Sequence, residues 1–368
     1  MRSSPNNMQA RQGGVFAIRK RRIVGIDVMR VSLAILIYMF HSWMHFDCDY
    51  HILNDFVSVG AIAMTGFFML SGYSLRMVYG EQNLLEKQSL MKFYIKRMLG
   101  VLPLYYIMAL LYVLLFRTET LVDNILLFPI EVLGLQSTFS SLFSVSHNGG
   151  TWFVSCLLLG YLVYPFLQTI IKLLNTTQKG ILLLLFIFLD IWSCVISHRF
   201  NTAWTYDNSF FRILEFTCGL IMADINYSNQ NKWLKIIQSK WALLCSVMVL
   251  FVGVSVMRHY TMCNDYMAYN IIAIPCFGIM MLSFGRLRMP ILERSRIIGY
   301  LGTVSYGFFL SQFFAWKVGK WTLYYSGHDI NWLRILIPFM FCVIASIAMY
   351  ELIQKPITKY VNLRIIKQ

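Results

Sequence analysis

Asp27, Arg30 and His41 stand within one apolar stretch, Ile23 to Trp43, long enough to cross a bilayer. Ionisable side chains at membrane depth are expensive and usually face a polar interior or a cavity. Arg30 and His41 are eleven residues apart. That is close to three whole helical turns, so a helix puts them on one face, roughly 16 Å apart along its axis. The guanidinium can hold an anion, and the imidazole can take a proton near neutral pH as a general base. The same residues admit a plainer reading. A histidine can hydrogen-bond between helices, and Arg30 can pair with Asp27, three residues earlier, to fix packing.

Further candidates follow along the chain. The string Gly66-Phe67-Phe68-Met69-Leu70-Ser71-Gly72-Tyr73 sets small residues in a second apolar stretch, where they allow close helix approach. Ser71 and Tyr73 also offer hydroxyls that could steady an oxyanion. Lys96 and Arg97 stand at the start of a third stretch, ahead of Pro103. Such a pair either anchors topology or holds a phosphate, which arginine grips through two parallel hydrogen bonds. Arg212 and Glu215 are three residues apart and within pairing reach, at about the depth of His41, with Asp190 at a similar level. A buried acid beside a histidine orients its ring, so Glu215 and Asp190 are both candidates to hold His41. His41, His45, Asp47, Asp49 and His51 cluster where the first stretch ends. Those types can bind zinc, but a solvated polar loop has the same composition, and no metal is expected.

The elements that must position these groups are apolar helices. Of 368 residues, 58% are hydrophobic and 13% charged, and mean hydropathy is +0.59. A soluble chain carries far more charge. Ten runs can span a hydrocarbon core of about 30 Å: 23–44, 56–79, 98–116, 150–173, 180–197, 209–226, 241–257, 266–285, 298–319 and 332–354. The apolar stretch 124–143, broken by Pro129 and Glu131, reads as interfacial or re-entrant. The predicted fold is all-α, a polytopic bundle of about ten transmembrane helices with both termini cytoplasmic.

Net charge is +15, a balance that can signal nucleic acid. Its distribution argues otherwise, because 23 of the 32 Lys and Arg fall in alternate connections assigned to the inside. This is the positive-inside bias, so the expected surface partner is the lipid bilayer and no nucleic acid. The expected organisation is a basic cytoplasmic segment at 1–22, a transmembrane domain at 23–356 and a short basic tail at 357–368, in the cell membrane. The polar, basic stretch 1–22 has no short apolar core, so no cleavable signal is expected before the first span. The eight cysteines form no CxxC pair, although Cys48 and Cys263 fall in outside loops and could bond to each other.

Taken together, these motifs resemble the acyltransferase-3 family of bacterial integral-membrane O-acyltransferases over about residues 23–360. The resemblance rests on the Arg30-x10-His41 spacing, the Phe-Phe-x-x-Ser-Gly-Tyr string ending at Tyr73, and Lys96-Arg97 before Pro103. It continues through Trp152-Phe153 to Pro165, Arg212-x-x-Glu215-Phe216-x-x-Gly219, Gly302-x-x-Ser305-Tyr306 and Lys355-Pro356. It implies transfer of an acyl group, usually acetyl from acetyl-CoA, to a hydroxyl of a glycan or lipid-linked sugar, with Arg30 and His41 essential. With the residue reading above added to the resemblance, His41, Arg30 and Glu215 form the expected catalytic set, and Lys96, Arg97, Ser71 and Tyr73 the expected donor site. The chain departs from the family at three places. Gly100 stands where the family often has a second arginine, Gln312 where many relatives have histidine, and Gln354 where a glutamate is frequent. Neither Gln312 nor Gln354 is counted as catalytic, and the C-terminal SGNH hydrolase-like domain of some relatives is not expected. The rival reading is a glycan or lipid-linked-sugar transporter or flippase. The absence of a visible internal repeat leans against it.

Overall fold

The computed structural model describes residues 23–116, 120–137, 151–200, 205–228, 232–261, 265–327 and 329–364. The segment 1–22, Cys263 and the last four residues of the expected tail lie outside them. Helix α1 (Val24–Phe46) runs unbroken for 23 residues. It stops at Asp47, whose φ of 51° is the left-handed turn that a short polar side chain tolerates. It is followed by α2 (Ala63–Tyr79) and the 30-residue α3 (Lys87–Phe116). Next comes α4 (Leu121–Val132), a 12-residue helix started by a capping box between Thr120 and Asp123. At about 1.5 Å per residue α4 is too short to cross a membrane; of the stretch 124–143 expected to be interfacial or re-entrant, 138–143 lie outside the described residues.

The chain continues through α5 (Trp152–Leu173), α6 (Thr176–Phe200), α7 (Ser209–Ser228), α8 (Lys240–Thr261) and α9 (Asn270–Arg286). It continues with α10 (Arg296–Leu310), α11 (Gln312–Ser326) and α12 (Asn331–Met349), which leads on through Tyr350–Gln354 into a last helix, Lys355–Arg364. Among the described residues eight helices are long and apolar enough to span, or nine if α10 and α11, bent by 69°, count as one. The sequence reading expected about ten. The difference is α7, a 20-residue helix whose Arg212, Glu215 and Asp224 lower its apolar character. At the bend the Ser311 hydroxyl donates to the Phe308 carbonyl at 3.1 Å. Such back-bonding competes with the helical ladder.

Helices α1, α2, α5 and α9 bury half or more of their apolar windows, whereas α3, α6, α8 and α12 are mostly peripheral. The central contact is α2 against α7, and glycine makes it possible. A Cβ on Gly72 would run into the Phe216 carbonyl, and one on Gly219 into the Met69 carbonyl. Backbone cannot step aside as a side-chain tip can. Gly219→Ala should therefore cost at least the 1–3 kcal/mol typical of overpacking, read as a lower thermal midpoint of the purified protein. Gly100→Ala, where an added Cβ meets nothing within 4 Å, is the control. At one end of the bundle Asp224 of α7 binds both Arg76 of α2 and, at 2.6 Å, Lys179 of α6. This is the basic end, where the inside connections were assigned.

Candidate active site

Arg30 lies on the sixth residue after Val24, in the basic half of α1, and donates to Asp27 at 3.2 Å and Ser74 of α2 at 3.4 Å. It lines a cavity of about 230 Å³ between α1, α2, α3, α5 and α10. Arg97 of α3 lines the same cavity, with Ser71, Ser74, Tyr161, Ser305 and Tyr306 supplying hydroxyls. Two guanidiniums therefore face one space, and no Asp or Glu is among its lining residues. Arg97 is held by the Tyr79 hydroxyl at 3.0 Å and by the face of that ring. Gly100 also lines the cavity, so the position that carries a second arginine in the resembling family is here open space.

His41 sits about three turns further along α1. Its Nδ1 donates to Oε1 of Gln312 at 2.6 Å, and its ring packs against Phe40, Phe309 and Phe313. His41 is not among the lining residues of the Arg30 cavity. Phe309 is, and its ring centre lies 6.4 Å from that of His41. One aromatic layer thus separates the two, with Phe309 edge-on to Phe153 at 5.2 Å.

The structure sorts the other expected residues by helix face. Ser71 lines the cavity, while Tyr73, two residues on and about 200° around the helix, points away and accepts from Asn226 at 2.7 Å. Of the adjacent pair, Arg97 reaches the cavity and Lys96 does not line it. Neighbouring residues on a helix are 100° apart, so one of two usually faces a given groove. Glu215 does not hold His41. Arg212 donates to it at 2.6 Å, Thr65 at 2.8 Å and Asn270 at 2.9 Å, all fully buried. Asp190 accepts from the same Asn270. The i, i+3 spacing on α7 explains this, because the nearest cation claims the carboxylate first. The partner of His41 is Gln312, which the sequence reading set aside. A signal was present in the sequence, a lone amide between apolar helices, but nothing there says which ring it meets. At the far end, His41 and His45 have ring centres 5.8 Å apart and His51 meets Asp49 at 3.2 Å. Among the described residues no group of three or more His, Cys, Asp or Glu side chains converges.

The family model of an acyltransferase domain, acyltransferase-3, matches residues 23–351. The chain belongs to that family. No curated protein and no solved structure matches it significantly. The match covers every helix from α1 to α12, so both the arginine-lined cavity and His41 fall within the acyltransferase domain. In this membrane acyltransferase, Tyr161, Ser74 and Phe309 line the candidate cavity and were missed by sequence reasoning. Each sits on a helix whose apolar pattern gives no hint of a cavity.

Proposed function

We propose that this acyltransferase moves an acyl group, expected to be acetyl, from cytoplasmic acyl-CoA to a hydroxyl of a cell-surface glycan or lipid-linked sugar, with His41 as general base. The observation that carries the reading is the cavity faced by Arg97 and by Arg30, itself paired with Asp27 at 3.2 Å, with no carboxylate among its described lining residues. A phosphate-bearing donor suits two guanidiniums that face one cavity. The basic end, taken as cytoplasmic by its charge, admits the donor. The thioester then travels along α1 toward His41, and Phe309 swings aside to let it through.

The acceptor arrives from the far end. A second cleft there, of about 400 Å³, is lined by Phe46, Asp47, Lys320, Tyr324, Asp329 and Arg334 among others. Arg334 donates to Asp329 and holds that carboxyl below the usual range. Two acids balance two bases in this lining, an arrangement suited to the hydroxyls of a sugar.

The test uses purified protein, labelled acetyl-CoA and an oligosaccharide acceptor. Arg97→Ala should weaken donor binding roughly 10- to 100-fold, since hydrogen bonds to charged groups are worth about 1.5–3 kcal/mol. Lys96→Ala should leave it near wild type. Unchanged affinity in Arg97→Ala removes that residue from the donor site. Movement of a sugar lipid without consumption of acyl-CoA would favour the flippase reading.

A further inference from the structure

Gln312 is fully buried, yet only one end of its amide is satisfied. Its Oε1 accepts from His41, while its Nε2 has no hydrogen-bond partner among the described residues. A buried N–H donor left unmade costs about 1–3 kcal/mol, and such groups call for an explanation. The place is also unusual. Gln312 is the first residue of α11, directly after the bend at Ser311. Broken helices at membrane depth bring helix N-termini to bound anionic groups in transport proteins, and α11 starts beside the imidazole.

We propose that Gln312 serves the transfer reaction in two ways, as a positioning residue for His41 and as a hydrogen-bond donor to the reacting carbonyl. The proposal rests on the reading of His41 as general base and adds a second group to that site. An amide oxygen can only accept, so the neutral His41 ring that bonds it carries its proton on Nδ1 and has a bare Nε2. His41 Nε2 has no hydrogen-bond partner among the described residues. The amide nitrogen is bonded to the same carbon as Oε1, which keeps its free N–H groups close to the ring. A thioester carbonyl beside His41 thus meets a base and a donor together, the pairing that acyl transfer needs.

The step balances as follows. The acceptor oxygen bonds to the thioester carbon while His41 Nε2 takes the hydroxyl proton. The carbonyl π electrons move onto oxygen, where the Gln312 N–H stabilises them. Collapse re-forms the carbonyl and breaks the carbon–sulfur bond. The CoA thiolate leaves and takes the proton from His41, giving an ester and CoA thiol.

The experiment compares wild type, Gln312→Met, Gln312→Glu and His41→Ala. It measures transfer with saturating acetyl-CoA, donor affinity, and nitrogen-15 spectra of histidine-labelled protein, with the His41 signals assigned by their loss in His41→Ala. Losing one such donor costs about 10²–10³ in kcat, so Gln312→Met should lose that much while donor affinity stays within about twofold. Its His41 spectrum should lose the signature of a protonated Nδ1 with a bare Nε2. Gln312→Glu keeps an acceptor for Nδ1 but loses the amide donor, so it should retain the wild-type tautomer and still be slow. If Gln312→Met fails to accumulate, Gln312→Glu carries the comparison. Near-normal kcat in either variant, with His41→Ala inactive, overturns the role of Gln312 and leaves His41 as the base. Full transfer by His41→Ala removes the base assignment and this proposal with it.

Discussion

His41→Ala is expected to reduce transfer by about 10²–10⁴-fold, the range a positioned general base contributes, with donor affinity close to wild type. The separation follows from the layout. The groups that would hold the donor line a cavity in the basic half of the bundle, and His41 lies beyond Phe309, outside that lining. Removing the imidazole therefore takes away proton transfer and leaves the anion site whole. The fold should also survive, because the only side-chain hydrogen bond of His41 among the described residues goes to Gln312. Donor affinity by equilibrium binding and transfer by labelled-acetyl incorporation separate the two effects. Transfer within tenfold of wild type would show that the acceptor loses its proton elsewhere.

The bundle was legible because each span is a run of apolar residues, and that signal needs no knowledge of neighbours. One span was legible by length but not by apolarity. Helix α7 looks polar because it carries the buried charges that cross-link the centre of the bundle. The 11-residue spacing of Arg30 and His41 was legible because a helix converts sequence distance into a face. What could not be read was which cavity each face meets. Lys96 and Arg97, or Ser71 and Tyr73, are equivalent until a second helix chooses between them. Glu215 looked like a partner for His41 because depth along a span can be estimated, whereas rotation about the neighbouring helix cannot. Gln312 became informative only once the bend after Leu310 aimed it at α1. The same distinction divides the polar residues of the bundle. Among the described residues, the atoms left unfilled around α7 are acceptors, one oxygen each of Glu215 and Asp190, whereas those at the cavity and at His41 are donors, Arg97 Nε and Gln312 Nε2.

That division makes Arg212 the position of greatest structural consequence. Arg212→Ala is expected to cost about 3–5 kcal/mol, the penalty for removing one partner of a buried ion pair, and most of the protein should be lost from the membrane fraction. The guanidinium is fully buried and donates to Glu215 at 2.6 Å and to the Tyr206 carbonyl at 2.6 Å. Its charge lies over the rings of Tyr206, Trp152 and Phe68, 4.6 to 5.7 Å from their centres. Without it, Glu215 and Asp190 share the amide of Asn270 with no cation to offset them. Each already has one carboxylate oxygen that finds no partner among the described residues. The double change Arg212→Met with Glu215→Leu removes both charges and should recover much of the stability, since apolar replacement of a buried pair is often neutral. Its recovered protein then decides what Glu215 does. Transfer per folded molecule near wild type makes the pair a brace between α2, α7 and α9. A folded double variant that binds acyl-CoA but transfers nothing would return Glu215 to the chemistry, acting on His41 through a geometry reached only with substrate bound.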